Sequence, residues 1–225
     1  MKKLLPKWFK RRVKQTWRGH QLRRAVRKIA GLHEHQLPNR ELLAELIKGW
    51  DNQGFVSNPD YLNEVAKHSV ETRGPILECG SGITTVLLGL LCAPRGVEIF
   101  SLENSTEWQK RLSEVLKSNG ISGVQLCRAP LVEYGEFVWY DFPLDAMPAE
   151  FSLVVCDGPP GTTKGGRYGL MPILGQRLPR GSVVLLDDAE RPAEMELIRR
   201  WENEFGFESE IVGSNGHKFA VMKRI

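Results

Sequence analysis

Apolar residues recur along this chain at two spacings, and the change from one to the other divides it. From Asn39, which can cap a helix, Leu42, Leu43, Leu46, Ile47 and Trp50 share one helical face. Ser57-Asn58-Pro59 is a second start signal, with proline at the first helical position, for a helix near Asp60–Val70. After Gly74-Pro75 the one-sided stripes give way to short continuous apolar runs. Ile76–Cys79, Val97–Leu102, Val124–Cys127, Phe151–Cys156 and Ser182–Leu186 read as buried strands. Helices are predicted between them over Thr84–Leu91, Thr106–Lys117, Leu170–Leu178 and Ala193–Phe205, and the stretch holding Trp139, Tyr140 and Pro143 reads as irregular. The chain closes with Phe207–Val212 and His217–Lys223, two strands joined by the turn Gly213-Ser214-Asn215-Gly216. Strands alternating with helices predict an α/β fold, a doubly wound, mostly parallel sheet covered on both faces. The terminal hairpin adds an antiparallel strand, because so short a loop cannot make a parallel crossover.

The first 33 residues stand apart by charge. They contain twelve Lys and Arg and no acid, whereas the rest of the 225-residue chain carries 19 basic and 27 acidic residues. Leu5, Phe9, Val13 and Trp17 at four-residue spacing, then Leu22, Val26 and Ile29 beyond Gly19, give this basic arm two short apolar stripes. Such an arm suits peripheral contact with an anionic membrane, or packing on the body of the protein or on a second copy in a homodimer, with nucleic acid ranked below both. The longest apolar run, near Val86–Ala93, is too short to span a bilayer, and Lys and Arg break up any secretory signal. A cytoplasmic location is expected, at the inner face of the membrane if the arm docks there. Apolar residues at 41% and charged residues at 26% exclude wholesale disorder. The four cysteines form neither a CxxC pair nor a zinc-ligand spacing and are expected to be reduced.

In a parallel sheet the ligand site lies beyond the carboxyl ends of the strands. The first strand ends in Glu78-Cys79-Gly80-Ser81-Gly82, where two glycines let backbone N–H groups approach a ligand at the start of a helix. The third glycine of a dinucleotide fingerprint is replaced by Thr85, which disfavours an NAD(P)-binding oxidoreductase. Glu78 is expected to accept hydrogen bonds from water or from an ammonium group of the ligand. Glu103, about twenty residues beyond the glycines at the end of the second strand, suits the two hydroxyls of a ribose. Asp157 ends the fourth strand, Asp187-Asp188 the fifth, and adjacent strands would bring all three carboxylates to one edge, within reach of a hard cation.

Together, Glu78-x-Gly80-x-Gly82, Glu103, Asp157 and Asp187-Asp188 resemble the class I S-adenosylmethionine-dependent methyltransferases, which have a Rossmann-like sheet with a reversed last strand. The resemblance runs from about Asn58 to Arg224. The chain thus divides into a basic arm over 1–33, a helical cap over 34–73 and, by the resemblance, a methyltransferase-like domain over 74–225. The resemblance implies that Glu78, Gly80, Ser81 and Gly82 cradle S-adenosyl-L-methionine, that Glu103 holds its ribose, and that Ala129 meets its adenine. The nearest chemistry within the family is small-molecule O-methylation assisted by Mg²⁺, which would make Asp157, Asp187 and Asp188 metal ligands, Asp157 or Lys164 the catalytic group, and a small molecule or sugar the acceptor. Arg167 and Tyr168, in the glycine-rich loop after Asp157, are expected to line the acceptor pocket, Arg167 by pairing with an anionic group. A binding module that keeps the fold without the activity is the remaining alternative.

Overall fold

The computed structural model describes residues 7–50, 58–214 and 216–225, with side chains from Trp17 onward. Three helices come first: α1 (Lys7–Ala30), α2 (Arg40–Gly49) and α3 (Pro59–Glu71). Asn39 caps α2 by accepting from the Leu42 N–H, and Asn58 caps α3 by accepting from that of Asp60. Gly19 does not interrupt α1, which runs on as one helix. Leu22, Ala25, Val26 and Ile29 are buried against α2 and the sheet-covering helices, so this half of the arm packs on the body. The side chains of Phe9 and Val13 lie outside the described residues, and Trp17 is 48% exposed.

The sheet is built from β1 (Ile76–Cys79), β2 (Ile99–Glu103), β3 (Val124–Arg128), β6 (Leu153–Cys156), β7 (Val183–Leu186), β8 (Phe207–Ser214) and β9 (His217–Arg224). Their order is β3-β2-β1-β6-β7-β9-β8, all parallel through β7, with β9 antiparallel to both β7 and β8. The expected reversed last strand is therefore present. The central strands β1, β2 and β6 are buried along their whole length, as continuous apolar runs between two helical layers require. α4 (Ile83–Leu91) and α5 (Thr106–Ser118) complete one layer with the first three helices, and α6 (Leu170–Leu174) and α7 (Pro192–Phe205) cover the other face.

Two expectations change. The stretch around Trp139 is not irregular: β4 (Leu131–Glu133) and β5 (Val138–Tyr140) pair as an antiparallel hairpin, with Trp139 and Tyr140 fully buried in the second core cluster. The helix expected to reach Leu178 stops at Leu174 and tightens into a 3-10 turn over Gly175–Arg177. No described helix is long and apolar enough to cross a membrane, and none of the four cysteines is in a disulfide.

Candidate cofactor and acceptor site

The parallel strands end along one crest, and β1, the central strand, delivers the glycine loop to it. Glu78 is engaged by the chain itself. It is fully buried, and its carboxylate accepts from Thr84 Oγ1 (2.5 Å), Thr85 Oγ1 (2.6 Å) and Ser101 Oγ (2.5 Å). Burial pushes its pKa up to about 7, against the three hydroxyls that favour the charged form. Thr85 Oγ1 also accepts from the Gly82 N–H at 2.8 Å, so the residue replacing the third glycine staples the loop to the strand beneath it. Trp108 of α5 holds the loop from the side, its indole N–H donating to the Ser81 carbonyl at 2.8 Å. The motif spacing gave no sign of Trp108 or Ser101. The Thr84-Thr85 pair straight after the glycines was the available signal for the rest.

The two glycines differ in what requires them. Gly80 has φ +89°, and a Cβ there would lie 2.9 Å from the Gly158 nitrogen; the loops after β1 and β6 touch main chain to main chain. At Gly82 the backbone is extended and a Cβ would meet nothing within 4 Å. Gly80 therefore serves packing, and Gly82 leaves a space that a ligand can use. Beside it, at the end of β2, Glu103 is 5% exposed and accepts from Ser81 Oγ and from the Ser105 N–H, both at 2.6 Å. These bonds fix the carboxylate at the loop's edge. Ala129 is buried, and its N–H goes to the Glu103 carbonyl at 2.9 Å, so it offers a small apolar wall rather than a donor.

The carboxylates do meet at the crest, as expected, but a side chain of the protein already stands among them. Arg167 is 2% exposed. Its Nη2 donates to Asp157 Oδ1 (2.9 Å), the Asp157 carbonyl (2.7 Å) and Asp188 Oδ2 (2.9 Å), and its Nη1 to the Asp187 carbonyl (2.6 Å), with Glu194 Oε1 of α7 at 3.6 Å. Arg191 adds a second cation on Asp188 Oδ2 at 2.7 Å. Burial works against the charge on Arg167, but Asp157 and its neighbours more than compensate and raise its pKa further. Arg167 therefore does not reach toward an anionic acceptor; its guanidinium is engaged by the chain itself.

This donor set does not fit Mg²⁺. A hard cation at the cluster would have to displace a buried guanidinium from five oxygens. No group of three or more His, Cys, Asp or Glu suited to a metal occurs among the described residues. Asp187 is the carboxylate that Arg167 leaves aside: its Oδ1 accepts from the Asp188 N–H at 2.9 Å. Burial, together with Asp157 and Asp188 nearby, pushes its pKa up to about 7. Asp157, its side chain 43% exposed, is crowded up to about 6 by desolvation despite Arg167, with Asp188 and Glu78 adding to the rise.

The two other loop residues lie elsewhere. Lys164 Nζ donates to the Gly135 carbonyl at 2.7 Å, tying the loop to the β4–β5 turn. The Tyr168 hydroxyl donates to Glu204 at 2.7 Å while Arg200 stacks 3.7 Å from its ring, so Tyr168 packs on α7.

No protein-family model matches this chain, and no curated protein matches it in sequence. Its structure is similar to that of precorrin-6y C5,15-methyltransferase from Geobacter metallireducens, at 14% identity and TM-score 0.58, covering 76% of this chain and 91% of that one. It is also similar to the N-terminal domain of human METTL16 in complex with SAH (15% identity, TM-score 0.53, 82% and 80% covered). A Klebsiella pneumoniae protein provisionally described as an O-methyltransferase matches at 16% identity and TM-score 0.52, over 91% of this chain and 89% of its own. The fold is the Rossmann-like one of these methyltransferase structures. Within this methyltransferase fold, the glycine loop on β1 and the acid on β2 sit side by side at the crest, and the Arg167 cluster sits over β6 and β7.

Proposed function

We propose that this chain transfers a methyl group from S-adenosylmethionine to an oxygen of a small-molecule or sugar acceptor. The observation that supports this best is the open space over Gly82 beside the fixed carboxylate of Glu103. Gly80–Gly82 would hold the methionine part, Glu103 the ribose hydroxyls, and Ala129 would back the adenine. When bound, the cofactor supplies an electrophilic methyl group; the carbon leaves sulfur as its bond to the acceptor oxygen forms, and the acceptor loses a proton. The chain's own contribution is to align the two reactants and to remove that proton. Asp187 takes it, since its carboxylate forms no ion pair among the described residues and its pKa of about 7 matches the task. The exposed Arg23, Arg24 and Arg27 of α1 suit peripheral contact with an anionic membrane.

Calorimetric titration with S-adenosylmethionine, S-adenosylhomocysteine and NAD tests the reading. The first two are expected to bind and NAD to fail; binding of NAD alone rejects it. Release of S-adenosylhomocysteine across a panel of polyols and sugars then finds the acceptor, and Asp187→Asn should abolish turnover without weakening cofactor binding.

A further inference from the structure

Cations normally neutralise a cluster of carboxylates at the end of two adjacent strands, and this cluster carries its cation on its own loop. Asp157 closes β6, Asp187 and Asp188 close β7, and Glu194, 3% exposed, comes from the first turn of α7. Four acids converge around one buried guanidinium, close enough to repel one another. The guanidinium of Arg167 lies at the middle, bonded to two of their side chains and to two carbonyl oxygens at the strand ends, 2.6–2.9 Å away. The Gly165-Gly166 pair preceding it, both with positive φ, folds the loop back so that Arg167 enters from above the strands. A planar fork with fixed donors suits this several-sided contact better than a lysine would.

We propose that Arg167 is a built-in replacement for a divalent cation, holding Asp157 and Asp188 in place and making this site independent of metal ions. It is a positioning residue. It orders the ends of β6 and β7 and bonds the Asp187 carbonyl, not the Asp187 carboxylate. The inference rests on reading this crest as the acceptor side of a methyltransferase. Its test does not involve the cofactor, so the two can fail separately.

The test uses the full chain, and Mn²⁺ as the probe. Electron paramagnetic resonance should show no stoichiometric Mn²⁺ binding to the wild type at millimolar metal, and Mg²⁺ should not shift its melting temperature. Stoichiometric Mn²⁺ binding by the wild type overturns the proposal. Arg167→Met should melt below the wild type, with a deficit larger at about pH 8 than at about pH 5, because the freed carboxylates ionise and repel as pH rises. The other titratable groups facing Arg167 are Cys79 from β1, Tyr61 from α3 and Cys156 from β6, while Glu78 acts on Asp157 and Arg191 on Asp157 and Asp188; all remain in the variant. A role in packing alone would give the same deficit at both pH values, and that result rejects the cation role. Should Arg167→Met not fold, Arg167→Lys carries the same comparison. Keeping the charge but not the fork, it should show a deficit that does not grow with pH, and a growing deficit counts against the proposal.

Discussion

At Gly82 and Gly80 the same small change has two different meanings. Gly82→Val puts a branched side chain into open space on extended backbone, so the melting temperature should hold while S-adenosylmethionine binding disappears from a calorimetric titration. Gly80→Ala should instead lower stability by ~1–3 kcal/mol, because φ is positive and the new Cβ presses on Gly158. Chemical denaturation measures it; an unchanged midpoint would show that the two loops move apart easily. Sequence alone does not separate these glycines, since both satisfy the same motif. Arg167 was equally hidden. Its partners lie 10, 20, 21 and 27 positions away, and no local pattern shows that a basic residue in a glycine-rich loop will be buried among them. Glu103 was legible because its position depends only on strand length and the distance to the glycines.

Among the elements, the strands β1, β2, β6 and β7 and the helices α3, α4, α5 and α7 were legible to within a few residues, because burial on both faces writes a continuous apolar run and burial on one face writes a stripe. The β4–β5 hairpin was not. Its strands are three residues each, too short for alternation to register, and their register comes from pairing Val132 with Trp139 in the second core. α1 runs unbroken through Gly19, where a glycine costs roughly 1 kcal/mol but tertiary packing outweighs it. That packing supplies a prediction. Ile29 is 2% exposed, so Ile29→Ala should destabilise the protein by ~2–4 kcal/mol, measured by denaturant unfolding. Arg27→Ala, two residues earlier on the exposed side, should change the midpoint little. Equal small effects would mean that α1 contributes no stability to the body.

For the whole molecule, protons held near neutrality link folding and binding. Glu78 and Asp187 titrate at about 7 and Asp157 at about 6, against ordinary values of 4.5 and 3.8. The folded chain keeps protons that the unfolded chain has released, so stability should fall as pH rises from about 4 to about 7 and level off above. Melting temperatures across that range check the sign, and a rise would refute it. A sulfonium favours ionised carboxylates, so S-adenosylmethionine affinity should increase between about pH 5.5 and pH 7.5, while S-adenosylhomocysteine, whose sulfur is uncharged, should gain less. Equal slopes for the two ligands would place the sulfonium away from these acids. The contact between Gly80 and Gly158 also bears on how such a chain can diversify. A Cβ at Gly158 would collide with the Tyr140 hydroxyl and come within 2.9 Å of the Gly80 Cα, so neither position tolerates a larger residue without moving the other's loop. Change at this part of the crest is therefore expected in the outer part of the loop, around residues 160–166, rather than at the seam between the two glycines.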